Sequence, residues 1–112
     1  MKIPESWLAV EGRRFAVYTF YDLAQAPLYI GMSGSVSERL RVHMYLQPWW
    51  SDVEDIWLEF YETFELAEDA ERRAILKYLP KYNRARYKPR KSVQRKRSST
   101  LTAEEWAWVR SG

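Results

Sequence analysis

The stretch FAVYTFYDLAQAPLYIG, residues 15–31, decides the fold. Its first part, Phe15–Tyr21, is a run of aromatic and β-branched residues, which favours a β-strand. Residues 22–27 interrupt the run, and Leu28-Tyr29-Ile30 begins a second strand that ends at Gly31. Because the connection is short enough for a hairpin, the stretch predicts two antiparallel strands.

A helix is predicted after the hairpin. A serine can cap its start, and the apolar residues Val36, Leu40 and Met44 recur with a spacing of four. Pro48 ends this helix, since proline cannot continue it. Residues 49–52 (WWSD) are then interpreted as a connecting loop.

The second half of the chain predicts one more strand and two more helices. Residues 56–64 (IWLEFYETF) form the strand, and residues 66–79 form a helix with one apolar face that Pro80 stops. Thr102 and Glu105 have the T-x-x-E spacing of a capping box, ahead of a short terminal helix. We therefore expect an α+β fold, a small three-stranded sheet flanked by helices.

Composition bounds the class of protein. The chain has 112 residues, 46% of them hydrophobic, which fits one globular domain. It has no cysteine, which excludes disulfides and thiolate metal sites. No apolar stretch approaches the roughly 20 residues that span a bilayer, and Pro4 and Glu5 stand where a signal peptide would place its apolar run. We expect a cytoplasmic protein with no membrane partner.

Basic residues are concentrated near the carboxyl end. Residues 81–97 contain nine of them and no acidic residue, whereas the rest of the chain has nine basic residues against 15 acidic ones. Such a block can neutralise several phosphates, so it predicts a nucleic-acid-binding segment, although a solvated tail has the same composition. The nine candidates are Lys81, Arg84, Arg86, Lys88, Arg90, Lys91, Arg95, Lys96 and Arg97.

Six side chains combine into a pattern with chemical meaning. Two tyrosines lie in adjacent predicted strands, an arginine and a histidine four residues apart share one face of the first helix, a glutamate lies in the second long helix, and an asparagine follows that helix. They are Tyr18, Tyr29, Arg39, His43, Glu71 and Asn83. With Ala16-Val17-Tyr18, Tyr29-Ile30-Gly31 and the segment PKYN at 80–83, this order resembles the GIY-YIG nuclease domain family over residues 15–83.

The sequence departs from the family pattern at three positions. Ala16 and Val17 stand where the family name has glycine and isoleucine, and both changes keep the size and the apolar character. Met32 stands where some repair-type members have a cation, so one phosphate or proton-shuttle contact is missing. All six residues of the pattern are present.

The resemblance implies that these six residues catalyse phosphodiester hydrolysis. Glu71 is the implied ligand of Mg²⁺, for which Mn²⁺ is expected to substitute, because hard cations prefer carboxylate oxygen. Arg39 can donate two N–H groups to the phosphate oxygens. The general base is left open between Tyr29 and Tyr18, with His43 assisting, and Asn83 is expected to orient the site by hydrogen bonds.

The function implied is that of a divalent-metal-dependent DNA endonuclease, a hydrolase that cuts one strand per active site. Residues 1–84 are expected to form the nuclease domain, and residues 85–112 a basic arm and terminal helix packed on it. Since the chain leaves no room for a separate DNA-binding domain, specificity would come from DNA structure, from a homodimer or from a partner protein. A free-standing domain favours a phage or mobile-element role, and RNA stays open as a substrate.

Two other functions compete with the enzyme. The first is a catalytically inactive nucleic-acid-binding module on a nuclease scaffold, in which the basic block would be the whole function. The second is a partner-dependent subunit whose exposed aromatic residues, around Trp49 and Trp50, form a protein interface. The two tryptophans can also stack on bases, but packing is their commoner use, and they are not included in the predicted site.

Overall fold

A three-stranded antiparallel sheet forms the centre of the molecule. A computed structural model describes residues 14–83 and 100–111. The strands are β1 (Phe15–Tyr21), β2 (Pro27–Ser33) and β3 (Asp55–Tyr61), and their order in the sheet is β2-β1-β3. This arrangement confirms the predicted α+β fold, and the first strand has the predicted bounds.

Three α-helices surround the sheet in the described residues: α1 (Val36–Leu46), α2 (Phe64–Tyr78) and α3 (Ala103–Ser111). The capping box of α3 is confirmed, since the Thr102 hydroxyl accepts from the Glu105 N–H at 3.2 Å and the Glu105 carboxylate accepts from the Thr102 N–H at 2.8 Å. None of the described helices is long and apolar enough to cross a membrane.

Two predicted strand ends and one predicted loop were wrong. Strand β2 extends past Gly31 to Ser33, because Gly31 pairs with β1 and does not end the strand. Strand β3 stops at Tyr61, because the Thr63 hydroxyl accepts from the Leu66 N–H and starts α2 three residues after the strand ends. The predicted loop at 49–52 lies in a short 3₁₀ helix, Pro48–Asp52, with proline in its first turn.

The two faces of the sheet have different coverings. Side chains alternate along β1, so that Ala16, Tyr18 and Phe20 share one face, here called the Tyr18 face, and Val17 lies on the other, the Val17 face. Helices α1 and α3 cover the Tyr18 face. Helix α2 covers the Val17 face, where Ala67 packs fully buried.

Side chains from outside the sheet occupy both of its edges. At the β2 edge, the Asn83 amide accepts from the Ile30 N–H and donates to the Ile30 carbonyl, both at 2.9 Å. At the β3 edge, the Thr100 hydroxyl accepts from the Leu58 N–H at 2.7 Å and donates to the Ile56 carbonyl at 3.2 Å. These bonds satisfy backbone groups that an open edge would expose.

Candidate active site

The two predicted tyrosines lie side by side on the Tyr18 face. Tyr18 is opposite Gly31 and Phe20 is opposite Tyr29 in the β1–β2 register, so all four residues share that face. The rings of Tyr18 and Tyr29 are stacked with their centroids 6.3 Å apart. Tyr18 is enclosed, with 1% of its surface exposed, whereas Tyr29 on the edge strand is half-buried.

Gly31 makes room for Tyr18. A Cβ atom added at Gly31 would collide with the hydroxyl and the Cζ atom of the Tyr18 ring. The ring therefore crosses directly over the backbone of β2, which only a residue without a side chain permits. This contact is a physical reason for the glycine that follows Tyr29 and Ile30 in the sequence.

Helix α1 brings His43 onto the Tyr18 hydroxyl. The His43 Nε2 atom and the Tyr18 hydroxyl oxygen are 2.9 Å apart, and the imidazole is 5% exposed. The imidazole centroid is also 5.0 Å from that of the Tyr29 ring. Tyr18 and His43, which are 25 residues apart in the sequence, therefore form one cluster with the half-buried Tyr29.

The protonation of this cluster follows from its burial. Burial raises the pKa of Tyr18 above its usual value, an effect that the neighbouring Tyr29 and Glu71 reinforce and the positive charge of Arg39 opposes. Burial, with help from the charge of Arg39, lowers the pKa of His43 to about 4. Tyr18 therefore keeps its proton at neutral pH, and His43 is neutral.

The Tyr18 hydroxyl and Nε2 of neutral His43 share one hydrogen bond, and the imidazole tautomer sets which of the two atoms donates. Nδ1 is buried and has no hydrogen-bond partner among the described residues. In the free protein burial outweighs the charge of Arg39, so the Tyr18 hydroxyl is not ionised at neutral pH.

Arg39 and Glu71 reach the same place from different helices. Both act on the Tyr18 hydroxyl through their charges, although Arg39 lies on α1 and Glu71 on α2. Arg39 is exposed, and Glu71 is half-buried. Burial raises the pKa of the Glu71 carboxyl, and the negative charge of Glu68 adds to this effect. A carboxylate in this state gains from a nearby positive charge.

Glu71 is the residue here that could hold a metal ion. No group of three or more histidine, aspartate and glutamate side chains forms a cation site within the described ranges 14–83 and 100–111. The donor chemistry of Glu71 nevertheless fits Mg²⁺, which binds through one or two carboxylates and takes its other ligands from water and substrate phosphates.

Asn83 lies at the β2 edge, next to the strand that contains Tyr29. Its two hydrogen bonds hold both backbone polar groups of Ile30, the residue next to Tyr29. Of the nine basic candidates, Lys81 is described and exposed, with its ammonium 5.2 Å from the centroid of the Tyr82 ring. The others lie outside the described residues: Arg84, Arg86, Lys88, Arg90, Lys91, Arg95, Lys96 and Arg97.

Two aromatic residues beside the site were not included in the prediction. The rings of Trp49 and Tyr82 are parallel within 3° with centroids 5.0 Å apart, and Trp49 is also stacked on Tyr29 at 5.7 Å. Trp49 was left out of the predicted site because packing is the commoner use of tryptophan, and no sequence spacing predicts its contact with β2. For Tyr82, the available signal was its place directly before Asn83.

Comparisons of the chain with known protein families, with curated proteins and with solved structures found no match. The function is therefore inferred from the geometry of this cluster and from the sequence pattern.

Proposed function

We propose that the protein is a divalent-metal-dependent endonuclease that hydrolyses phosphodiester bonds in DNA, one strand per active site. One observation carries the proposal. Tyr29, Arg39, His43 and Glu71, selected from the sequence, all lie near the Tyr18 hydroxyl, although they come from a strand and two helices. Packing alone does not require an arginine, a histidine and a glutamate at one tyrosine.

Glu71 is the residue that would hold the cation. Its half-buried carboxylate has a raised pKa, so a bound cation would relieve the cost of its charge. When bound, a divalent cation supplies positive charge that stabilises the negative charge added at the phosphate. Glu71 itself fixes where that charge sits relative to Arg39 and Tyr18.

Arg39 is suited to the phosphate. It is exposed, so its guanidinium is accessible to a nucleic-acid backbone, and it carries five N–H donors in a planar fork. Two of them can bind two non-bridging oxygens at once. In the transition state these oxygens carry more negative charge, so the same bonds become stronger.

The tyrosines and His43 handle the attacking water. Tyr29 is the more exposed tyrosine, and we assign it to the substrate side, where its hydroxyl orients the water. The water oxygen bonds to phosphorus as one P–O ester bond breaks, and the leaving oxygen takes a proton from solvent. The proton that the water loses would reach Nε2 of His43 through the Tyr18 hydroxyl, which passes its own hydrogen to Nε2 as it accepts the new one. The negative charge of a bound phosphate would raise the pKa of His43 above its value of about 4 in the free protein and so favour this transfer.

The basic segment 81–97 would bind the nucleic-acid backbone beside this cluster. Lys81, its first residue, directly precedes Tyr82 and Asn83, which are attached to the β2 edge next to Tyr29. Charge contacts of this kind supply affinity with little sequence information. The proposal therefore includes DNA as the partner and assigns no target sequence.

Nicking of supercoiled plasmid tests the proposal. Wild type, Glu71→Gln and the control Glu65→Gln are compared with Mg²⁺, with Mn²⁺ and with EDTA. Glu65 is an exposed glutamate in the first turn of the same helix. We expect wild type and Glu65→Gln to nick with either metal and not with EDTA, and Glu71→Gln to bind DNA without cutting it.

Other results would assign a different function. Intact plasmid with tight, salt-sensitive binding by all three proteins would favour the nucleic-acid-binding module. Normal nicking by Glu71→Gln would remove Glu71 from the metal role. Parallel reactions on a matched RNA strand decide whether ribose is also accepted, since backbone contacts alone do not distinguish the sugars.

A further inference from the structure

The segment that precedes most of the basic block is attached to β2. The Lys81 N–H donates to the Pro27 carbonyl at 3.2 Å, and the Tyr82 N–H donates to the Leu28 carbonyl at 2.7 Å. The Asn83 amide then holds Ile30. Residues 81–83 therefore run beside 27–30, the part of β2 that contains Tyr29.

A second connection runs through aromatic rings. The ring of Trp49 is stacked on two tyrosines, with centroid distances of 5.0 Å to Tyr82 and 5.7 Å to Tyr29. Trp49 also lies 6.1 Å from the imidazole of His43. The Lys81 ammonium is 5.2 Å from the Tyr82 ring centroid. A continuous series of side chains thus leads from Lys81 through Tyr82 and Trp49 to Tyr29.

Trp50 provides a contrast within the same turn. It belongs to the same 3₁₀ helix, Pro48–Asp52, and is half-buried like Trp49. Its ring packs edge-on against Phe20 at 5.1 Å and lies at the cavity between α1 and α3, with Met44 and Trp106. Both tryptophans contact Phe20 of the core, Trp49 at 6.1 Å, and Trp49 is the one of the two that is stacked on the candidate catalytic tyrosine.

We propose that Trp49 and Tyr82 are positioning residues: their stack fixes the ring of Tyr29 and ties it to Lys81, where the nucleic-acid backbone binds. This inference rests on the proposed nuclease function. Offset stacking between large rings is favourable by about 0.5–1.5 kcal/mol beyond their burial, and Tyr29 has two χ angles that such a contact can restrict. Loss of the stack would leave binding intact and misplace Tyr29 at the reacting phosphate.

Kinetic variants test the positioning role. Single-turnover and steady-state cleavage are measured for wild type, Trp49→Leu, Trp49→Phe and the control Trp50→Leu. For Trp49→Leu we expect kcat to fall about 10- to 100-fold with KM changed less than about threefold, because a small misplacement is costly in catalysis. Trp49→Phe keeps a stacking ring and should recover most of kcat, and Trp50→Leu should stay near wild type.

A second variant protects the test against misfolding. Tyr82→Leu removes the outer ring and leaves Trp49 in the core, so it is judged by the same split between kcat and KM if Trp49→Leu does not fold. Equal losses of kcat in the Trp49 and Trp50 variants, or losses that appear only in KM, would overturn the positioning role while leaving the nuclease function in place.

A spectroscopic measurement separates this proposal from the nuclease function. The protein is labelled with 5-fluorotryptophan, and the resonances of Trp49 and Trp50 are assigned from their phenylalanine variants. Addition of a short DNA duplex in EDTA should shift the Trp49 signal more than the Trp50 signal. If wild type does not cleave DNA, the shift would still support the link from Lys81 to the stack. If wild type cleaves DNA and the Trp49 signal does not shift, the link is overturned and the nuclease function stands.

Discussion

The two faces of the sheet receive alternate side chains of the same strands and differ in the chemical groups that those side chains bury. On the Val17 face, α2 packs aliphatic residues such as Ala67 and Ile75 against Val17 and Ile30. On the Tyr18 face, the buried residues under α1 include a tyrosine hydroxyl and an imidazole that bond to each other. The first arrangement buries mainly apolar surface, although it includes Tyr78, and the second removes a hydrogen-bonded hydroxyl and imidazole from water.

The pKa shifts show what this difference costs. Burial raises the pKa of Tyr18 and lowers that of His43, so each group is held in its uncharged form. A buried apolar side chain stabilises the fold by about 1.5–3 kcal/mol at any pH, whereas a buried titratable group stabilises or destabilises it depending on pH. Both faces therefore supply stability through apolar burial, and the Tyr18 face uses part of it to hold reactive groups.

The largest effect is expected where the Tyr18 face meets substrate. Arg39→Ala should lower kcat by about 10²–10³-fold, because it removes donors from the charge that develops on phosphate. Stability should change little, since Arg39 is exposed. The matched control is Arg41→Ala: Arg41 is exposed on the same helix, but its guanidinium lies 5.4 Å from the Trp108 ring centroid.

Cleavage and binding assays together check this prediction. We expect Arg41→Ala to cut within about threefold of wild type, as a surface side chain outside the site should. If Arg39→Ala loses affinity at unchanged kcat, Arg39 only docks the substrate. That result would weaken the proposal that the residues of the Tyr18 face catalyse hydrolysis.

A smaller effect is expected in the pH dependence of stability. The pKa of His43 is about 4 in the folded protein, against 6.5 for an ordinary histidine. Between these values the unfolded chain binds the proton more readily, so the stability linked to His43 is present above pH 6.5 and is lost as the pH falls toward 4. The loss amounts to about 3 kcal/mol at most.

Urea unfolding between neutral pH and pH 4 measures this loss. In His43→Gln the stability should fall less steeply over that interval than in wild type. Val17→Ala, on the opposite face, is the control, because it should lower stability by a similar amount at every pH. Parallel curves for wild type and His43→Gln would show that the buried imidazole carries no pH-dependent cost.

Local chemistry explains why so much of the fold was predictable. Phe15–Tyr21 is one uninterrupted β-favouring run, and the Thr102–Glu105 capping box is satisfied by atoms three residues apart. One error arose from a partner distant in sequence and another from a local helix cap. Gly31 resembles the end of a strand until Tyr18 is seen to lie across it, and the strand-like residues 62–64 give way to the Thr63 cap.

In the candidate site, too, some features could be predicted from sequence spacing and others depend on the whole fold. Arg39 and His43 could be placed together because they are four residues apart on one helix. Trp49 could not, since its contact with Tyr29 depends on how a 3₁₀ turn packs against an edge strand. The protonation of Tyr18 could not be predicted either, because enclosure of the side chain is a property of the whole fold and not of the positions around it.

The smallest expected effect has the opposite sign and tests the comparison at Glu71. Burial and the charge of Glu68 raise the pKa of Glu71, so the folded state disfavours its ionised form and stability decreases as the pH rises through the carboxyl range. At neutral pH in EDTA, Glu71→Gln should therefore be more stable than wild type, by about 0.5–1 kcal/mol, while the exposed control Glu65→Gln should not gain stability. Thermal unfolding of both variants measures the difference. If replacing Glu71 both stabilises the protein and stops cleavage, the glutamate serves the chemistry and not the fold.

A less stable Glu71→Gln would instead mean that the carboxylate supports the fold. The stability cost of buried reactive groups would then be limited to Tyr18 and His43 and would not include Glu71 on α2.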